Sequence, residues 1–186
     1  MAVQILRKKF TVSQYHQMIE AGILSDRDHV ELIKGEIIEM SPVGRRHAAC
    51  VDRLTELFVL RLTAKAIVRT QNPIRLSDDS EPQPDLALLR RRDDFYEMGH
   101  PKPEDIFLVI EVSDTTAEFD REIKIPTYAE EGITEAWLIN LNAQLVEVFQ
   151  QPTSDGYQRV QQFQYGQTLA VSAFPDIQFN VAQLLS

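Results

Sequence analysis

Hydrophobic residues fall into alternating helix-like and strand-like periods along the chain, and the change of period marks the elements. Thr11-Val12-Ser13-Gln14 matches a capping box, in which the Thr oxygen and the Gln side chain each satisfy a free amide, so a helix runs from Thr11 to Ala21 and stops at Gly22. Val30 to Ile33 and Ile37 to Met40, joined across Lys34-Gly35, predict a hairpin, because Gly tolerates the positive φ of a tight turn. From about Arg45 to Ala66, the positions Val51, Leu54, Leu57, Phe58 and Leu62 follow helical spacing. This longest amphipathic segment is expected to cover one face of a sheet.

Beyond it the period becomes that of strands: Ile67 to Thr70, Ile74 to Leu76, Leu86 to Leu89, Ile106 to Val112 and Ala136 to Asn140. A helix from about Asp120 to Glu131, stopped by Gly132, joins the last two and implies a parallel crossover. Pro126 lies inside it, which predicts a kink or a late start near Ile125. Strands at Leu145 to Gln150, Tyr157 to Gln162 and Thr168 to Val171 and a short helix at Val181 to Leu185 complete the pattern, with a turn at Asp155-Gly156. The fold expected is an α/β domain spanning residues 1–186, a mixed β-sheet flanked by helices, with an added N-terminal helix and hairpin and C-terminal β segments.

Two acids stand at the ends of apolar runs. Asp85 follows Pro84 before Leu86 to Leu89, and Glu111 lies in the run Ile106 to Val112. A carboxylate drawn into such a run loses hydration unless a partner compensates it. A divalent cation shared by Asp85 and Glu111 meets that need, and Lys124 adds a positive charge that suits a phosphate. Plainer readings stand beside these: Asp85 as a turn acid, Glu111 as the partner of an Arg, and Lys124 as a solvated helix residue. Asp120, Lys124 and Tyr128 share a helix face, with capping and packing as the simplest roles for Asp120 and Tyr128. His47 reads as a surface residue at a helix terminus and Trp137 as core. The cluster Asp26-Arg27-Asp28 reads as a solvated turn.

Pro82-Gln83-Pro84-Asp85, Glu111-Val112-Ser113-Asp114, Asp120-Arg121-Glu122-Ile123-Lys124 and His29-Val30-Glu31-Leu32-Ile33-Lys34-Gly35-Glu36 together resemble the bacterial family named putative restriction endonucleases, a Uma-type domain of the PD-(D/E)xK nuclease superfamily. The likeness runs from about Phe10 to about Phe149. Ser113 stands where the superfamily usually has its Lys, and the family places that Lys on the following helix, here Lys124. The resemblance implies a restriction-endonuclease-like core and a Mg2+- or Mn2+-dependent endonuclease acting on nucleic acid, with DNA the expected substrate. It further implies Asp85, Glu111 and the backbone carbonyl of Val112 as metal ligands, Lys124 as electrostatic catalyst, and Glu31 as an accessory acid near the metal.

Composition modifies this picture in two respects. Nineteen Lys and Arg against 28 Asp and Glu give a net charge of −9, which repels a polyanion over most of the surface. Nucleic acid is therefore expected to bind weakly or locally, near Arg7-Lys8-Lys9, Arg45-Arg46 or Arg90-Arg91-Arg92, and a non-catalytic scaffold that keeps the nuclease fold is the competing reading. Cys50 is the single cysteine, His16, His29, His47 and His100 lack the spacing of a zinc site, and the seven glycines form no phosphate loop. With no signal peptide and no membrane-length apolar run, a cytoplasmic protein is expected. Double-strand cleavage needs two active sites, so a homodimer is expected as well, with Tyr157 to Val171 as a candidate shared surface.

Overall fold

The capping box forms as its letters require: the Thr11 side chain accepts the Gln14 N–H and the Gln14 side chain accepts the Thr11 N–H, which starts α1 (Val12–Glu20). This computed structural model describes residues 7–25 and 27–185, so Asp26 of the expected turn lies outside the described residues. After α1 comes a hairpin of β1 (Val30–Ile33) and β2 (Glu36–Glu39). Lys34 and Gly35 both take positive φ, 49° and 76°, the twist a two-residue turn needs. The hairpin docks through Leu32, which packs against Val12 and Tyr15 and accepts the Glu81 N–H at 2.7 Å.

The helix α2 (Arg45–Leu62) buries Cys50, Val51, Leu54, Phe58 and Leu62 along one side. That side lies on a six-stranded sheet ordered β3-β4-β5-β6-β7-β8. Its strands are β3 (Ile67–Thr70), β4 (Leu86–Leu89), β5 (Ile106–Ser113), β6 (Glu135–Asn140), β7 (Leu145–Thr153) and β8 (Gly156–Gln164). Only β5 and β6 pair in parallel; the other neighbours are antiparallel. The pleat sorts β4 and β5 by face: Leu86, Leu88, Leu108, Ile110 and Val112 join the α2 core, with Trp137 fully buried there, while Ala87 and Val109 join Ile125 and Tyr128 on the other.

The crossover between β5 and β6 differs from the expected single helix. It begins early as α3 (Ala117–Phe119), widens into a π-helical turn at Asp120–Lys124, and continues as α4 (Ile125–Glu130). The Ile125 N–H reaches back to the Asp120 carbonyl, a step of five residues. Pro126 thereby falls in the first turn of α4, where no backbone donor is required, and the helix needs no break.

One further expectation is corrected and one strand is added. Ile74 to Leu76 is no strand: Ile74 and Leu76 are buried, but their N–H groups bond to the Pro82 and Ser80 carbonyls, and the facing prolines 82 and 84 lack the donors a ladder needs. At the C-terminus, β9 (Thr168–Ala170) leaves the main sheet and pairs with an unforeseen strand, β10 (Gln178–Asn180). The expected α5 (Val181–Leu185) follows, and Phe179 seals α2 with its ring 4.6 Å from that of Phe58. Among the described residues no helix is long and apolar enough to cross a membrane.

Candidate active site

Register brings the two acids together. Leu86 pairs with Ile110 across β4 and β5, so Asp85, one residue before β4, stands across from Glu111. The two strands are the second and third of six, and the acids meet where β4 begins. With the ladder ended, the Val112 N–H donates to Asp85 Oδ2 at 2.8 Å. His47, from the first turn of α2, brings Nε2 to within 2.9 Å of the same oxygen.

Glu111 is buried, and its Oε1 accepts the hydroxyl of Tyr128 on α4 and lies 3.0 Å from Lys124 Nζ. The ammonium also stands 3.3 Å from Glu31 Oε2 and donates to the Gln83 carbonyl at 3.3 Å. Glu31, buried on β1, is fixed in turn by the Gln83 N–H at 2.9 Å. Asp120 accepts the Thr116 hydroxyl at 2.7 Å. A cleft of about 1180 Å³ is lined by Glu31, His47, Asp85, Glu111, Asp120 and Lys124. All four acidic or basic side chains singled out from sequence, Glu31, Asp85, Glu111 and Lys124, therefore face one space, with Val112 on its wall.

Burial dominates the electrostatics. It raises the Glu111 carboxyl to about 8, opposed by Lys124 and reinforced by Asp85, Asp120 and Glu31. Burial raises Asp120 too, against the Thr116 hydrogen bond. For Lys124 burial alone would lower the ammonium, but Glu111, Glu31, Asp85 and Asp120 outweigh it and keep the charge. The hydrogen bond to Asp85 raises His47, against its own desolvation.

Four carboxyl groups thus line the cleft that holds the Lys124 ammonium, and their hard oxygen donors suit Mg2+ or Mn2+. The acid that burial holds protonated is the kind that a cation would ionise. Among the described residues no three His, Cys, Asp or Glu side chains are already arranged around a common point; the oxygens of Asp85 and Glu111 turn to His47, Val112, Lys124 and Tyr128 instead. The residue types fit a hard divalent cation.

Three side chains had plainer sequence readings than the structure gives them. His47 is half-buried against Asp85 rather than a surface residue; its place one helical turn before Val51, on the stripe continued by Leu54 and Phe58, was the available signal. Tyr128 packs in the core but also bonds Glu111, and Asp120 is buried in the cleft wall. Both share the Lys124 helix face.

The chain matches the family model Uma2, described as "Putative restriction endonuclease", over residues 12–182. No curated protein matches it significantly. Among solved structures it resembles a putative nuclease of DUF820 from Anabaena variabilis, at 16% identity and a TM-score of 0.72 over 95% of this chain and 97% of that one. That likeness establishes the mixed α/β fold. With the model matching nearly the whole chain, the protein belongs to the Uma2 family of putative restriction endonucleases.

Proposed function

We propose that the chain is a metal-dependent endonuclease that hydrolyses phosphodiester bonds in nucleic acid, with DNA as its substrate. The observation that carries this reading is the position of Lys124: its ammonium is held between Glu31 and Glu111 in the cleft that also contains Asp85. Asp85, Glu111 and the Val112 carbonyl would hold Mg2+ or Mn2+, with Glu31 as accessory acid. A cation bound there supplies Lewis acidity toward a phosphate and eases the ionisation of water.

The remaining roles belong to side chains. His47 and the Val112 N–H orient Asp85, and Tyr128 orients Glu111. Lys124, fixed by the Gln83 carbonyl, offers a preorganised charge to the pentacoordinate phosphorus group, where negative charge grows. Arg45 and Arg46 precede His47 at the start of α2, which supports local contact with a phosphate backbone on a chain of net charge −9. Cutting both strands calls for two such sites, so the reading includes a homodimer.

The acidic surface favours the second reading, a nuclease-fold protein that binds without cutting. Incubation of the purified protein with plasmid and with single-stranded DNA, with and without Mn2+, separates the two. Mn2+-dependent cleavage that disappears in Lys124→Ala is expected; intact DNA at every Mn2+ concentration, from a folded protein, leaves only the binding reading.

A further inference from the structure

Beside its charged groups the cleft has an apolar wall, to which Ile38, Met40, Val43 and Phe119 contribute. Ile38 pairs with Glu31 across β1 and β2, so the two side chains stand on one face of the hairpin. Phe119 ends α3 and directly precedes Asp120. Val43 is 61% exposed and the other three are half-buried, yet none of the four joins or packs against the hydrophobic clusters formed by the described residues. They lie outside the cores that hold the fold, and apolar surface gathered in a concave site is surface that suits a ligand.

We propose, resting on the nuclease reading, that the cleft takes its nucleic acid as an unpaired strand, with the apolar wall against base faces and Phe119 as the stacking ring. A phosphate alone gives Ile38, Met40, Val43 and Phe119 nothing to cover. Paired DNA keeps its base faces stacked inside the helix and offers only base edges in the grooves, while an unpaired strand turns the faces outward. Charge points the same way. With Asp28, Glu39 and Asp114 added to the four carboxyl groups already described, acids outnumber Arg27 and Lys124 in the lining. A duplex carries a negative charge about every 1.7 Å of its axis, against about 3.4 Å for one strand, so an acid-rich cleft repels it more. Depth adds a third argument: Glu31, Glu111 and Lys124 are all buried, so the scissile phosphate has to come in past the walls. A single strand bends into such a recess, whereas a duplex is stiff over about 150 base pairs. In a dimer, each site then takes one strand of an opened duplex.

The test measures fluorescence anisotropy of a labelled DNA strand, alone and annealed to its complement, with Ca2+ in place of Mn2+ to hold cleavage off. Wild type, Phe119→Ala and Phe119→Trp are compared, and circular dichroism verifies that the variants fold. The lone strand is expected to bind at least about tenfold tighter than the duplex, and Phe119→Ala to lose about fivefold or more of that affinity. Phe119→Trp keeps a stacking face and is expected to bind as wild type does. Duplex bound as tightly as the lone strand, no binding of either, or full affinity in Phe119→Ala overturns the inference. Cleavage of the same two probes in Mn2+ separates this inference from the nuclease reading. A protein that prefers the unpaired strand but cuts neither probe keeps the inference as a binding site and loses the nuclease reading. One that cuts the duplex as fast as the lone strand keeps the nuclease reading and loses the inference.

Discussion

His47 reaches from α2 to Asp85, its Nε2 2.9 Å from Oδ2, and so ties the helix on one face of the sheet to the acid at the start of β4. The contact uses an oxygen that also accepts the Val112 N–H. Asp85 consequently has one oxygen committed to orientation, while the other accepts Gln71 Nε2 at 3.4 Å. On the proposed mechanism His47→Ala lowers Mn2+-dependent cleavage by about 10–100-fold, the usual effect of removing a group that orients a metal ligand. Melting curves establish that the variant remains folded, since the His47 side chain is 16% exposed and its removal also takes a contact from Asp85. Steady-state cleavage rates beside melting curves check this; an unchanged rate assigns His47 to structure alone.

Tyr128 makes a prediction of the opposite kind. Its ring is fully buried in the α4 core and its hydroxyl donates to Glu111. Tyr128→Phe keeps the packing and removes the donor, at a cost of about 1–3 kcal/mol for the polar group left short of a partner. Urea unfolding of the two proteins gives the difference directly. A Phe variant as stable as wild type means the bond to Glu111 contributes nothing net.

The Glu111 carboxyl also fixes a pH dependence. Its value in the folded protein is about 8 against an ordinary 4.5, so the folded state holds a proton that the unfolded state has released. The resulting stability is complete below about 4.5 and is lost as pH rises through about 8. Asp120, also raised by burial, acts in the same direction. Melting temperature in the presence of a chelator should therefore fall between pH 5 and 9, and Glu111→Gln should flatten the slope. A wild-type profile that rises over this range contradicts the buried, protonated acid.

Sequence pattern carried much of this structure because local chemistry and global fold agree in the relevant segments. The Thr11 cap, the Lys34-Gly35 turn and the α2 stripe are each decided within a few residues, and each forms within a residue or so of its expected bounds, except that α2 ends at Leu62 rather than Ala66. Asp85 and Glu111 were legible because an acid bounding an apolar run is locally conspicuous. His47 and Tyr128 were not, since their partners are 38 and 17 residues away and nothing in their immediate neighbours distinguishes an orienting group from packing. The π turn was equally hidden. It directly precedes the Pro126 turn and buries Asp120 and Lys124, and that burial belongs to tertiary structure. Ile74 to Leu76 failed for a related reason: apolar alternation was present, but the backbone partners were prolines and loop carbonyls.

Mn2+ titration of wild type and Asp85→Ala by calorimetry tests the central claim most directly, because it reads ion capture without requiring turnover. The account predicts a site in wild type at millimolar Mn2+ or below that Asp85→Ala abolishes while the variant remains folded. No binding by wild type, or a site of undiminished affinity in Asp85→Ala, would contradict it.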